Sequence, residues 1–585
     1  MRRRAIEVLL VIAGFTLLAI GLTWPAAANA NTLIPTDGGL PWDPAGFTWD
    51  LWQRLRDGLP LFGNGSTNLV APFTVEYPGA FNLVQLAFYG PAVAVAAITT
   101  PAFAMNVMII AGIAVSGMAM YWLARWLGTG PGVATWAGLA LAASPYVLGK
   151  AVVHAPLASV ACFPLLVLAA LWWGEAPSWR RALAVTGAFA LAWTTSAYYG
   201  LIAVIMVIVL CGWTLLVRGR QQGWRNAAQP GGILVAMLGV LVLLPIAISV
   251  LTSTAPSPAR ASEDLARFGT RIGDLITPAP DQVVSNAISP GWFDITGITG
   301  ERLIVYLGIT TVLMAIVAGV LAWWRPGALG GARVVLAARL GTVLAPVLLW
   351  FSLAWPMAIG PVPIPVPSIV VWWAAPEFRA FSRFAVAGLV VLLMMAALLV
   401  AAVARRGGQV WRYSIVAGAL LVTGADTLTA VPLTTSSPAT ADAQAPDQRA
   451  AWAWLRDNPE PGSLVEYPTS LPVFAPGLES MYRVYAMGQI IHGRPVLDIP
   501  GPMGLPIDPR TLRLAQQVAD PFAPGTAERL AKAGIRFAVI NPWAYRTLGI
   551  SEGPDVRQPP AGFALEQAFP DGTAIWRVTA PPSVR

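Results

Sequence analysis

AFNLVQLAFYGPAVAVAAITT, residues 80–100, is apolar over the length of a membrane span yet broken in its middle by Gly90-Pro91. The reading of this stretch decides the sidedness of everything after it. If it crosses the bilayer, then Arg125, Arg180, Arg181, Arg218, Arg220, Arg225, Arg325, Arg333, Arg405, Arg406 and Arg412 all face outward. That repeatedly violates the excess of Lys and Arg that membrane proteins keep in short cytoplasmic loops. If it is re-entrant, or lies along the outer surface, the same arginines all become cytoplasmic, and this is the consistent reading.

Other apolar runs, each about twenty residues long, lie near residues 102–124, 131–148, 152–173, 181–197, 198–217, 230–252, 301–324, 332–356, 384–404 and 413–431. A first run extends from Ala5 to about Ala26, behind Arg2, Arg3 and Arg4. With residues 80–100 held outside, the chain reads as about eleven spans, N-terminus in and C-terminus out. Ala28-Asn29-Ala30 has the small-residue spacing of a signal-peptidase site, but the run before it is long enough to span. Either way, Asn31 onward emerges outside.

Composition demands the membrane. Of 585 residues, 56% are hydrophobic and 11% charged, with a mean hydropathy of +0.63, more apolar sequence than one soluble core absorbs. A net charge of +8 would suggest nucleic acid in a soluble protein, but here the arginine excess sits between apolar runs, where it orients helices. Cys162 and Cys211 fall inside apolar runs, too few and too separated for a disulfide framework or a metal cluster.

Near residue 436 the character changes. The linker TTSSPATADAQAPDQ is followed by short β-like runs (SLVEYP, RFAVIN, AIWRVT) alternating with helix-like ones (QRAAWAWLRD, RTLRLAQQVAD, GTAERLAKAG), the last stopped by Gly534. GPMGLP lacks the lysine and the strand-to-helix context of a phosphate-binding turn. The expected fold is a mostly α membrane protein. Residues 1–435 form its polytopic domain, with outer loops 27–101 and 253–300, and residues 436–585 form an extracytoplasmic α/β domain.

This topology also sorts the acids. Asp37, Asp43, Asp50, Asp57 and Glu76 outnumber Arg54 and Arg56 in the first outer loop. Glu263, Asp264, Asp274, Asp281 and Asp294 outnumber Arg260, Arg267 and Arg271 in the second. TDGGLPWDPAGFTWDLWQ, residues 36–53, places three of these carboxylates and three tryptophans just past the first span.

The layout resembles the polytopic membrane glycosyltransferases of the GT-C superfamily, and in detail a bacterial membrane-protein group with a DP...W...W pattern. The matching stretches are WDPAGFTWDLWQ, EYPGAFNL, MNVMIIAGIAVSGMAMYWLARWLG, ASPYVLGKAVVHAPLASVACFPLL, DLITPAPDQ, ERLIVYLG, PEFRAFSRFAV and VYAMGQIIHGRP, in the expected order. The resemblance implies transfer of a hexosyl or pentosyl unit from a polyprenyl-phosphate carrier to a glycan, lipid or protein acceptor on the outer face of the cytoplasmic membrane. It further implies a carboxylate base in the first outer loop, a role that falls on Asp43, with Asp37 in reserve. No cofactor is expected, although some relatives use a divalent ion.

The residues give their own reasons. An attacking hydroxyl must lose its proton as the glycosidic bond forms, so a carboxylate has to sit within hydrogen-bond reach. Pro44 biases Asp43 toward an extended conformation that presents the side chain; equally, Asp43 could cap a helix beginning at Pro44. Asp50 and Arg54, four residues apart, suit a surface salt bridge. Trp42, Trp49 and Trp52 fit either sugar stacking or, the preferred reading, the membrane interface, and Trp42 and Glu76 are carried as substrate contacts.

The leaving phosphate calls for cations. Arg379 and Arg383 in PEFRAFSRF are spaced to point the same way from a helix start, for phosphate or for anionic headgroups. Arg271 and Arg302 are weaker candidates. Glu301 suits the positive end of the helix it opens. His154 lies near Lys150 at the outer end of a span, and His492 reads as structural. A transporter or flippase of lipid-linked glycans, and a non-catalytic scaffold of envelope assembly, are the competing readings. A transporter carries ionisable groups in mid-span, whereas here they collect at span ends, apart from Asp426.

Overall fold

The computed structural model describes residues 2–31, 33–36, 42–61, 64–78, 82–222, 262–278, 300–359, 361–427, 434–436, 449–469, 478–497, 508–547 and 555–580, together with Gly232, Leu234, Val235, Met237, Leu238, Gly239 and Gln282. Its first part is helical: α1 (Arg2–Leu22), α2 (Trp42–Asp57), α3 (Leu86–Ala96), α4 (Pro101–Trp126), α5 (Pro131–Ala142), α6 (Pro145–Val153), α7 (Cys162–Glu175), α8 (Trp179–Thr195) and α9 (Ala197–Gln222). After α10 (Glu263–Phe268) and α11 (Gly300–Leu303) come α12 (Ile309–Trp324), α13 (Ala332–Ser352), α14 (Pro367–Ala374), α15 (Phe384–Ala404) and α16 (Gln409–Thr427).

Residues 80–100 yield only α3, of 11 residues. At 1.5 Å per residue such a helix reaches about 16 Å, roughly half of the hydrocarbon thickness. The chain also comes back to where it left. The Asn106 amide of α4 donates to the Ala30 and Leu33 carbonyls at 3.1 and 2.7 Å, beside the exit of α1. Both ends of the first loop therefore sit at one end of the bundle.

Among the described residues, five helices are long and apolar enough to cross a membrane, or six if the bent pair α5 and α6 counts as one span. Fewer runs qualify than the sequence suggests because several are cut. Ser144 caps α6 by accepting from the Val147 amide, and Pro145 starts it, so the run after residue 131 bends by 41°. Gly308, at φ +80°, divides the run 301–324 into α11 and α12. The run near 230–252 lies mostly outside the described residues.

At the centre stands α15, buried along almost its whole length against α13, α12, α5 and α16. The first helix is also built in. Phe15 of α1 occupies the space that a side chain at Gly117 or Gly138 would need, with ring atoms 2.5 and 2.4 Å from the Cβ positions there.

The C-terminal part holds α17 (Arg449–Asp457), α18 (Leu478–His492), α19 (Pro509–Gln517), α20 (Thr526–Lys532) and α21 (Pro542–Thr547) around a sheet. Strands β7 (Ser463–Tyr467), β8 (Ile535–Ile540), β9 (Phe563–Ala568) and β10 (Ala574–Val578) take the order β7-β8-β10-β9, with β7 parallel to β8 and the other pairs antiparallel. Gly534 supplies the left-handed turn between α20 and β8.

The first loop belongs to this assembly. Its β1 (Ile34–Thr36) pairs with β6 (Thr434–Ser436). The Ala71 and Val496 amides bond across to the Val496 and Leu69 carbonyls at 3.0 Å. Trp49, Leu69, Val70 and Val75 share one core with Leu455, Leu464, Phe537 and Ile575. A hairpin of β2 (Asn64–Thr67) and β3 (Val75–Pro78) completes the loop, and β4 (Met357–Ile359) and β5 (Val362–Ile364) form another before α14.

Candidate functional site

Four side chains from three distant segments meet at one end of the bundle. The cap at Ser144 sets the register of α6 so that Lys150 and His154 stand one turn apart at its end. The short helix α11 brings Glu301, and the turn Phe381–Arg383 that leads into α15 brings Arg383. Lys150 Nζ lies 2.6 Å and Arg383 Nη2 2.8 Å from Glu301 Oε1, with His154 Nδ1 at 3.8 Å. Lys150 and Arg383 are buried, and the Glu301 side chain is 10% exposed. Lys150 and Arg383 thus both face the Glu301 carboxylate.

Aromatic rings line this cluster. The Arg383 guanidinium lies over the Tyr198 ring at 4.2 Å and Lys150 near Tyr146 at 5.7 Å. The Tyr198 hydroxyl accepts from the Arg379 amide at 3.1 Å. The Tyr199 hydroxyl donates to the Leu157 carbonyl. Phe47 of α2 meets the His154 ring edge-on at 6.1 Å.

The expected candidates are distributed as follows. Arg383 and His154 join the cluster. Arg379 does not point with Arg383, because no helix spans both: it precedes the turn, pairs with Asp264 at 3.2 Å and covers the Phe268 ring at 4.6 Å. Arg302 turns away from Glu301, its neighbour on α11, and binds Asp274 bidentately at 2.8 and 2.9 Å, buried. Asp274 also takes the Arg271 amide at 2.8 Å, while the Arg271 side chain is exposed. Glu76 is exposed on β3. The side chains of Asp43 and Trp42, and the whole of Asp37, lie outside the described residues. Helix α2 begins at Trp42 rather than Pro44, which places Asp43 in its first turn, one turn before Phe47.

Two sequence expectations are corrected. The Asp50 and Arg54 salt bridge, 3.1 Å long, is fully buried rather than superficial, because Tyr89 of α3 covers Arg54 at 4.1 Å. Trp49 faces protein and not the membrane interface. It is fully buried and donates to Gln489 Oε1 at 2.8 Å, while Gln489 Nε2 donates to the Leu69 and Arg494 carbonyls at 2.7 and 2.9 Å. The motifs WDPAGFTWDLWQ and VYAMGQIIHGRP thus touch. His492 is buried beside them, its Nδ1 accepting from the Arg494 amide at 3.0 Å.

Sequence reasoning passed over Tyr198, which touches both arginines, and Asp264. The signal for Tyr198 was its place between two apolar runs, at a junction assigned to the same side as Lys150, Glu301 and Arg383. Among the described residues no three His, Cys, Asp or Glu side chains gather as a metal site.

A polytopic helix bundle, a first loop built into a C-terminal α/β domain and a buried cation cluster below them define a membrane protein with the GT-C fold. Among solved structures, the chain is similar to ArnT from Cupriavidus metallidurans bound to undecaprenyl phosphate, with a TM-score of 0.50 and 13% identity over 99% of both chains. It is similar also to arabinofuranosyltransferase AftD from Mycobacteria, with a TM-score of 0.50 and 15% identity over 99% of this chain and 42% of AftD, so it spans about two fifths of that protein. No family model and no curated protein matches the sequence.

Proposed function

We propose that this protein is a membrane glycosyltransferase that moves a hexosyl or pentosyl unit from a polyprenyl-phosphate donor to an acceptor at the outer face of the cytoplasmic membrane. The observation that carries the reading is the cluster of Lys150 and Arg383 beside His154, which Phe47 joins to the helix bearing Asp43. A neighbour of the same fold, ArnT, is bound to undecaprenyl phosphate. In the reaction, the bond between the anomeric carbon and the phosphate oxygen breaks and its electron pair stays on the phosphate. A bond forms from the acceptor oxygen to the anomeric carbon, and the acceptor proton passes to the Asp43 carboxylate, with Asp37 as the alternative base. Lys150 and Arg383 hold the phosphate and stabilise the charge that grows on it. The N-terminus is cytoplasmic, and the C-terminal domain, extracytoplasmic, helps to hold a glycan, lipid or protein acceptor.

The transporter reading is weaker because Asp426 is already engaged. Its carboxylate takes the Tyr306 hydroxyl and, at 2.8 and 2.6 Å, the amide and hydroxyl of Thr310. The test is sugar transfer in membranes supplied with polyprenyl-phosphate donors. Asp43→Asn is expected to lower kcat by about a hundredfold or more with expression intact, and Arg383→Ala to raise the donor KM. Full activity of Asp43→Asn would reject the base assignment.

A further inference from the structure

Arg383 reaches the cluster from a turn that no helix ladder holds in place. Along this turn the amides of Phe378, Phe381 and Arg383 donate to nearby carbonyls, those of Ala375, Arg379 and Ala380. The Arg379 and Ala380 amides go elsewhere: both donate to the Tyr198 hydroxyl oxygen of α9, at 3.1 and 3.4 Å. One side-chain oxygen thus accepts two consecutive backbone donors, which fixes the peptide planes just ahead of Arg383.

The same side chain meets the turn in two further ways. The Phe378 ring stands edge-on to the Tyr198 ring at 5.0 Å, and the Arg383 guanidinium lies over that ring at 4.2 Å. Tyr198 therefore grips the turn at its first residue, its middle and its last side chain. The local sequence aims it there. Ser196, in extended backbone, separates α8 from α9, and its hydroxyl accepts from the Tyr198 amide at 3.3 Å. Neighbours on a helix diverge by about 100°, so Tyr199 enters the core and donates to the Leu157 carbonyl, while Tyr198 meets the turn.

What this grip holds is a hydrogen-bond donor. Arg383 Nη2 donates to Glu301 at 2.8 Å, but Nε, buried, has no hydrogen-bond partner among the described residues. A guanidinium presents its donors in a rigid planar fork, so the direction of Nε follows from where turn and ring place that plane. A misplacement of about 1 Å at such a group is enough to lose much of its effect.

We propose that Tyr198 is a positioning residue: its hydroxyl locks the 378–383 turn and its ring orients the Arg383 guanidinium toward the lipid phosphate, a role that rests on the phosphate reading of Arg383. Tyr198 acts through Arg383 and makes no bond to the reacting atoms.

The test is a double-mutant cycle on undecaprenyl phosphate binding by the full chain in lipid nanodiscs. Tyr198→Phe keeps the ring and removes the acceptor of both amides, and the affinity is expected to fall about tenfold. In an Arg383→Ala background the same change is expected to alter the affinity by about twofold or less, because the group it positions is gone. A Tyr198→Phe protein that binds like the wild type, or a loss just as large without Arg383, overturns the proposal. Should Tyr198→Phe fail to fold, Phe378→Leu, which loosens the same ring, takes its place in the cycle with the same two outcomes. If Arg383→Ala weakens binding while Tyr198→Phe does not, only the role of Tyr198 fails. If the wild type does not bind the lipid, or Arg383→Ala leaves its affinity unchanged, the phosphate reading fails and takes this one with it.

Discussion

A charge buried in an apolar bundle is costly unless a partner is fixed beside it, and Asp50 shows how tightly that condition is met on α2. Asp50 and Arg54 are both about 1% exposed, paired at 3.1 Å, with the Tyr89 ring over the guanidinium. Asp50→Ala takes the paired carboxylate away from the buried Arg54 guanidinium, and a loss of roughly 3–5 kcal/mol is expected. Replacing both with apolar residues of similar volume is expected to cost much less. Thermal unfolding in detergent checks this: equal losses in the single and double variants would mean that the pair does not act as a unit. His492 gives a second residue-scale prediction, with a sign set by burial. Burial, helped by Arg494, lowers its pKa from 6.5 to about 3. Between those values the unfolded chain binds a proton that the folded chain refuses, so stability falls as pH drops below 6.5, by about 1.4 kcal/mol per unit. Above 6.5 the residue contributes nothing. His492→Gln should therefore flatten the loss of melting temperature between pH 7 and pH 5, and a variant as acid-sensitive as the wild type would refute it. The spacing of Asp50 and Arg54 was legible in the sequence, but their burial was not. It depends on Tyr89, which arrives from the next element, and local spacing carries no record of that.

At the scale of elements, α2 is the joint of the molecule. Phe47 meets His154 of the cluster, Arg54 meets Tyr89 of α3, and Trp49 enters the core shared with the C-terminal sheet. Arg56 adds a bond to the Gly493 carbonyl at 3.1 Å. A helix held on so many sides fixes the position of its first turn, where Asp43 sits. Trp49→Ala removes a fully buried indole together with its bond to Gln489, a loss of roughly 3–5 kcal/mol concentrated at one contact. Hydrogen exchange is expected to rise selectively at Leu69–Ala71 and around Val496 while α15 stays protected. A uniform rise would mean that the contact supports the whole fold and not the docking of one domain. The strands and helices of the C-terminal domain were legible from alternation and capping, and SLVEYP, RFAVIN and AIWRVT all became strands. Strand β9 was not, because it sits at the sheet edge with Leu565 and its neighbours turned toward solvent, so its apolar pattern is faint. The meeting of Trp49 with Gln489 left no local trace either, since 440 residues separate them.

Across the whole molecule, the junctions between apolar runs sort into two groups that never needed a membrane to be told apart. Phe47, Lys150, His154, Tyr198, Asp264, Glu301, Arg379 and Arg383 come from junctions assigned to the outside, and they converge. Residues from junctions assigned to the inside also find one another: Glu7 binds Arg125 at 2.8 Å, Glu175 binds Arg333 at 2.5 Å, and Arg405 donates to the Leu329 carbonyl. Parity survives even where the runs are cut, because bending a run at Ser144-Pro145 or dividing it at Gly308 changes its length but not the ends it joins. That is why the grouping of the junctions was legible in the order of the runs while the number of spanning helices was not. The arrangement predicts a labelling pattern. Cys162 and Cys211 are buried, so their background with a membrane-impermeant thiol reagent should be low. Glu76→Cys and Arg510→Cys, at exposed positions of the first loop and the C-terminal domain, are expected to label in intact cells. Arg325→Cys and Arg406→Cys, exposed at the other end, should label only after permeabilisation. External labelling at 406 together with 76 would mean that an even number of crossings separates the two positions, against the odd number of this reading. A buried phosphate site could then not open on the face where the first loop and the C-terminal domain lie.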